Sequence, residues 1–133
     1  MSIDPVERVR IGYELFNRGD VDAALAGLSP TVEWRVLDML PDASIYRGRE
    51  GVRQFWEMWR DTFTDLSLET DEFIGVGNKV IAMTRVRGRG KDSGVEASTP
   101  TFAILWTLAG EEVVGVEMLA TREEALAAVE ANG

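Results

Sequence analysis

The chain has 133 residues, the length of one domain, and we read residues 1–133 as a single unit. Acidic residues outnumber basic ones by 23 to 14, a formal charge of -9 that argues against the positive footprint nucleic acid requires. There is no Cys and no His, which excludes disulfides, thiol nucleophiles, the usual zinc sites and the commonest general base near neutral pH.

Asp4 as N-cap, Pro5 at the first helical position and Glu7 as the reciprocal partner of a capping box predict a first helix. Val6, Val9, Tyr13 and Phe16 follow at helical spacing and form its apolar stripe. Asn17-Arg18-Gly19 stops it, with Gly19 taking the left-handed conformation. Asp20 caps a second, short helix carrying Val21, Ala24, Leu25 and Leu28, which Ser29-Pro30 ends. Thr31 to Val36 reads as a strand, and Asp38 to Gly48 as a loop that holds Met39, Leu40, Ile45 and Tyr46. A third helix is predicted from Arg49 to Phe63. Its stripe of Val52, Phe55, Trp56, Trp59 and Phe63 is the most aromatic face in the sequence.

After Asp65 the period changes to two. Leu66 and Leu68, extended through Phe73, Ile74 and Val76, make one strand, and Gly77-Asn78 turns the chain. Lys79 to Arg89 is a long strand with Val80, Ala82, Thr84 and Val86 on one face and Ile81, Met83, Arg85 and Arg87 on the other. A glycine-rich hairpin from Gly88 to Gly94 leads into a strand from Val95 to Leu108, with Pro100 as a bulge or edge feature. Gly110-Glu111 turns into a last strand, Glu112 to Ala120, and Thr121-x-x-Glu124 opens a short C-terminal helix. Segregated helices and hairpin-linked strands predict an α+β fold, with a curved antiparallel sheet packed on three N-terminal helices around a conical cavity. No apolar run approaches the ~18 residues of a membrane span, and the polar start MSIDPVERVR lacks a secretory core, so the expectation is a cytoplasmic protein off the membrane.

Without His, acid–base chemistry falls to Asp, Glu, Tyr or the two lysines, Lys79 and Lys91. The carboxylates near strands or the loop are Glu33, Asp38, Glu69, Glu96 and Glu117. Enclosed by aromatic rings, such a group would have its pKa raised by up to ~3–5 units and could serve as base or acid; each could equally face solvent or a second subunit. Alternation turns Glu117 outward if Val116 and Met118 face the cone, where it could pair with Arg85 or Arg87. Trp34, Met39, Tyr46, Trp56, Trp59 and Met118 are the candidates for an apolar ligand pocket, whereas Phe55 and Phe63 read as core packing. The cluster Arg85, Arg87, Arg89 and Lys91 reads as a solvated or subunit-facing strand end. Gly48-x-x-Gly51 lacks the spacing of a phosphate loop, no EF-hand spacing occurs, and neither a metal nor a cofactor is expected.

Three stretches, Asn17-Arg18-Gly19-Asp20-Val21-Asp22-Ala23, Pro30-Thr31-Val32-Glu33-Trp34 and Tyr46-Arg47-Gly48-Arg49-Glu50-Gly51-Val52, resemble the SnoaL-like branch of the nuclear-transport-factor-2-like superfamily. The Arg87-Gly88-Arg89-Gly90 hairpin with Ser93-Gly94, and the tail from Val116-Glu117 through Thr121 to Leu126, fit the same pattern. The resemblance implies an α+β cone of the cystatin-like kind, a pocket opening near the loop before the third helix, and a homodimer through the outer sheet face. It implies no single activity, since such folds serve cyclases, isomerases, epoxide hydrolases, dehydratases and non-catalytic binders alike. The family's ketosteroid isomerases carry an oxyanion tyrosine where Gly12 falls here, beside Tyr13. Their catalytic aspartate corresponds to Trp34, and their second aspartate to Ala103. The cyclases' His/Asp pair is broken by the lack of His. Asp38 lies just after the first strand, near the family's base position. Two readings follow. One is a binder of a small apolar molecule. The other is a His-independent isomerase, cyclase or hydrolase of polyketide-, steroid- or terpenoid-like substrates. It would use Asp38 or Glu33 as base, with Tyr46 or Trp34 orienting the substrate or donating a hydrogen bond.

Overall fold

A computed structural model describes residues 4–36 and 45–132. Helices α1 (Pro5–Asn17) and α2 (Val21–Ala26) come first, then strand β1 (Leu28–Arg35), the short β2 (Ile45–Arg47) and helix α3 (Gly48–Thr62). The remaining strands are β3 (Phe63–Val76), β4 (Lys79–Gly90), β5 (Glu96–Ser98), β6 (Phe102–Ala109) and β7 (Glu112–Leu119), and helix α4 (Arg122–Asn132) closes the order. Among the described residues, no helix is long and apolar enough to cross a membrane.

The helix signals act largely as read. Asp4 accepts from the Val6 N–H at 2.9 Å, but Glu7 does not return the bond; its carboxylate is held by Arg10, one helical turn on. At the other end, Gly19 has φ 81°, and the Asp20 N–H reaches the Leu15 carbonyl at 2.9 Å while the Gly19 N–H reaches Phe16 at 3.0 Å. This paired 6→1 and 5→2 closure turns the chain sharply. Asn17 then fastens α1 to β3, since its side chain accepts from the Leu68 N–H at 2.7 Å and donates to the Leu68 carbonyl at 2.9 Å. Helix α2 stops earlier than expected, at Gly27, and Leu28 opens β1 instead of closing the helix.

The strands form one curved, unclosed sheet in the order β2-β1-β7-β6-β4-β3, with β5 added on β4. The meander is antiparallel as predicted, but β1 pairs with β7 in parallel. The chain between them, α3 and the meander, is long enough for such a crossover. The predicted strand from Val95 to Leu108 is split: β5 ends at Ser98 and β6 begins at Phe102, because Pro100 lacks the N–H that a continuous ladder needs.

Bulges set which residues face inward. In β3, Leu66 and Leu68 pack inward and so does Phe73, although the parity changes; the register shift between Thr70 and Glu72 absorbs the extra residue. In β7, Val113 and Val116 both face inward, because Leu108 pairs with Val113 and Thr107 with Gly115, leaving Val114 as the extra residue. The sheet is buried on both faces at its centre. Val80, Ala82, Phe102, Ile104 and Trp106 join the core beneath α1 to α3, whereas Ile81, Ala103 and Leu105 pack against Ala125 and Val129 of α4.

Candidate functional site

Between α1, α2, α3 and the concave sheet face lies a partly open apolar cavity of about 100 Å³. Helix α1 contributes Gly12, Tyr13 and Phe16, and α3 contributes Phe55, Trp56 and Trp59. The sheet contributes Trp34, Leu66, Leu68, Val86, Phe102, Ile104, Trp106 and Met118. The rings form one network: Trp34 meets Trp106 at 5.4 Å between centroids and Trp56 at 5.9 Å edge-to-face, and the tilted Phe55 at 5.7 Å, while Tyr13 meets Trp106 edge-to-face at 5.7 Å. Gly12 leaves an opening in this wall, because a Cβ built there has no heavy atom within 4 Å.

Four of the residues expected to touch a ligand, Trp34, Trp56, Trp59 and Met118, are brought together here. Tyr46 is not among the described lining residues. It stacks obliquely on Phe55 at 4.8 Å, and its hydroxyl points to the Met58 sulfur at 3.9 Å. Asp38 and Met39 lie outside the described residues. Glu33 sits on the opposite face of β1 from Trp34. It is paired there with Arg47 at 3.4 Å and Arg35 at 3.9 Å, its side chain 45% exposed. Period-two alternation forces this outcome, since Val32 and Trp34 occupy the inner face.

The other carboxylates follow the same logic. Glu117 faces outward, but it pairs in register with Arg35 rather than meeting Arg85 or Arg87, which lie two strands away on β4. Those arginines bind Glu69 and Asp71 of β3 and Glu96 of β5. The hydrogen bond from Arg87 holds the Glu96 carboxyl below its usual range, opposite to what a base near neutral pH needs. Arg8 is the one charged residue among the described lining of the cavity. Its guanidinium is engaged with the Glu111 carbonyl at 2.9 Å.

Tyr13 is the polar group that the sequence did not single out. Its hydroxyl lies 2.8 Å from Thr84 Oγ1, and both side chains are buried. Thr84 Oγ1 is also 3.0 Å from the Ala82 carbonyl, so the threonine proton goes there and Tyr13 donates to Thr84. Burial pushes the phenol well above its ordinary pKa. The signal was present, since Tyr13 belongs to the apolar stripe of α1, which must face the sheet. Ala103, set by resemblance at the second aspartate position, instead faces α4, and Phe102 and Ile104 hold the inner places.

Two indole N–H groups remain. Nε1 of Trp34 and Nε1 of Trp106 are buried with no hydrogen-bond partner in the protein, in residues that are 5% and 7% exposed. The Trp106 N–H lies against the Tyr13 phenol but outside hydrogen-bonding geometry. An unmet buried donor costs about 1–3 kcal/mol. No group of acidic side chains able to hold a metal ion occurs among the described residues.

Helices capping the concave face of a curved, unclosed sheet, with an aromatic cavity between them, define the nuclear-transport-factor-2-like fold. Within it the chain belongs to the SnoaL-like domain family, which residues 9–116 match. No curated protein matches the chain. Among solved structures it is similar to an NTF2-like protein from Burkholderia thailandensis, with 22% identity over 98% of both chains and a TM-score of 0.77. It is also similar to an NTF2-like protein of unknown function from Burkholderia pseudomallei, with 24% identity over 94% of this chain and 97% of that one, and a TM-score of 0.74. A third, TerC co-crystallized with polyporic acid, shares 21% identity over 96% and 99% of the two chains, with a TM-score of 0.73.

Proposed function

We propose that the protein binds a small, uncharged, apolar molecule of about one ring in the cavity beneath α1 to α3. The observation that carries this reading is the wall itself: apolar, aromatic, and with Arg8 as its one charged residue among those described. Ligand pockets are typically apolar with a few placed polar groups, and a closed apolar cavity of ~150 Å³ holds benzene; this one, at about 100 Å³, is smaller but not closed, so a ring need not fit wholly within it. The similar structure of TerC was co-crystallized with polyporic acid, which is in keeping with this use of the fold. The carboxylate-driven enzyme finds no support in the described walls, because Glu33, Glu69, Glu96 and Glu117 all lie elsewhere. We also infer a homodimer that uses the outer sheet face.

Thermal unfolding with toluene and cyclohexane tests the binding reading. Both should raise the melting temperature of the native protein, and Gly12→Leu, which extends a side chain into the open space, should remove the effect while remaining folded. No shift of the unsubstituted protein with either compound, and no molecule retained in native mass spectrometry, would overturn it.

A further inference from the structure

The cavity continues outward between two helices. Beside the buried rings, its lining includes Arg8, Ile11, Gly12 and Leu15 of α1, Ala23 of α2 and Gly27 just after it. All six are half-exposed, so this part of the wall meets solvent. The α1 positions recur at steps of three, one and three, which sets them on one face of the helix. Gly12 has no side chain to cover its Cα, and the place where its Cβ would stand has no heavy atom within 4 Å. The crevice is bounded at both ends. At one, Arg8 Nη2 lies 3.2 Å from where a Cβ on Gly27 would stand, and Arg8 Nε donates to the Glu111 carbonyl at 2.9 Å. At the other, the Asp20 N–H bonds the Leu15 carbonyl at 2.9 Å. Between these ends, no side-chain hydrogen bond or ion pair links α1 to α2 among the described residues. The other half-exposed stretch of lining, at Trp59, Leu66, Leu68 and Val86, is fastened instead. Trp59 stacks on Phe63, and Leu68 is bonded through both backbone groups to Asn17.

We propose that the ligand is a ring bearing an alkyl tail, with the ring in the cavity and the tail leaving over Gly12 between α1 and α2. The inference rests on the binding reading above and adds length and direction to it. A cavity of about 100 Å³ brings a bound ring to its edge, and the edge without a fastening bond is this crevice. Ile11, Leu15 and Ala23 offer the tail apolar contact there, and the charge of Arg8 stands at the crevice's end rather than across it.

The test uses the full chain, with its tryptophan fluorescence titrated by toluene and by n-butylbenzene, which adds three methylenes. A methylene fully removed from water gains about fourfold in affinity and one half-removed about twofold, so butylbenzene should bind tighter by about eightfold or more. Both probes should move the methyl signals of Ile104 and Met118, whereas butylbenzene alone should move those of Ile11, Leu15 and Ala23. Ala23→Leu, which places a larger side chain in the crevice, should bring the ratio of the two affinities toward one. If that variant does not fold, the methyl signals of the native protein decide. Butylbenzene binding no tighter than toluene overturns the tail's route and leaves the pocket standing. So does a preference that survives Ala23→Leu, or that moves the signals of Leu66, Leu68 and Val86 instead. Binding of neither probe overturns the pocket as well.

Discussion

Tyr13 shows how a single burial decision propagates. Its place in the stripe of α1 carries the phenol under the sheet, where Thr84 is the available acceptor. Removing the hydroxyl leaves Thr84 still bonded to Ala82, so Tyr13→Phe should cost only about 1 kcal/mol at pH 7. The pH dependence is more telling. The native phenol holds its proton well above the ordinary value of 10.0. The unfolded chain therefore ionises first as pH rises, and the native state loses stability above that point. Urea unfolding at pH 9 and pH 11 should show the native protein losing about 1 kcal/mol more than Tyr13→Phe. An unchanged gap between the two proteins would mean that the phenol is not held this way. Gly12 gives a second prediction at this scale. Glycine in a helix interior costs about 1 kcal/mol against alanine, and here a Cβ meets nothing within 4 Å, so Gly12→Ala should raise stability by up to that amount in the same assay. The residue types of the cavity could be read from the sequence: Trp34, Trp56, Trp59 and Met118 all reach it. The hydrogen bonding could not, because Tyr13 meets Thr84 across 71 residues of chain.

Among the elements, α1 and α4 were written locally and came out nearly as read. In α4, Thr121 Oγ1 accepts from the Glu124 N–H at 3.1 Å, and the Glu124 carboxylate reaches back to the Ala120 N–H at 3.1 Å. Thr121→Ala should therefore cost about 1 kcal/mol and speed amide exchange in the first turn of α4 while leaving β6 protected. Unchanged exchange there would deny the cap its role. Elements that depend on neighbours were harder. The strand from Leu66 to Val76 was legible, but the shift of inward parity from Leu68 to Phe73 comes from the ladder with β4, which places a bulge at Asp71. The passage from α3 into β3 relies on Gly88 of β4, where a Cβ would stand 2.9 Å from Phe63 Cβ and 3.2 Å from Leu66 Cδ1. Leu66 Cδ1 can swing aside, but Phe63 Cβ cannot withdraw without moving its strand. Gly88→Ala should destabilise by about 1–3 kcal/mol in equilibrium unfolding.

For the whole molecule, the architecture followed from element order, whereas the parallel β1–β7 contact, which closes the floor of the cavity, is a long-range choice that no local pattern announces. The outer face divides in two. Helix α4 covers Ile81, Ala103 and Leu105 with Ala125 and Val129. The uncovered part presents Thr31, Glu33, Arg35, Lys79, Thr107 and Glu117, which mix both signs of charge. A homodimer built there would be held by exposed polar and ionic pairs rather than by a large apolar surface, and each such pair contributes about 0.5 kcal/mol. The net charge of -9 on each chain opposes association, but that long-range repulsion is largely screened by 0.1 M salt, where the Debye length is about 10 Å. Added salt above that point therefore acts mainly on the short pairs and weakens the dimer. Sedimentation equilibrium should show a dimer at 0.1 M NaCl whose dissociation constant rises roughly fivefold at 0.5 M, as two exposed pairs would give. Glu117→Lys should weaken it further and leave the melting temperature nearly unchanged, because Glu117 lies outside the cavity lining and both core clusters. A monomer at both salt concentrations would refute the dimer itself. A dimer indifferent to salt and to Glu117→Lys would move the interface away from this face, toward the apolar edge of α4 at Leu126, which is 37% exposed.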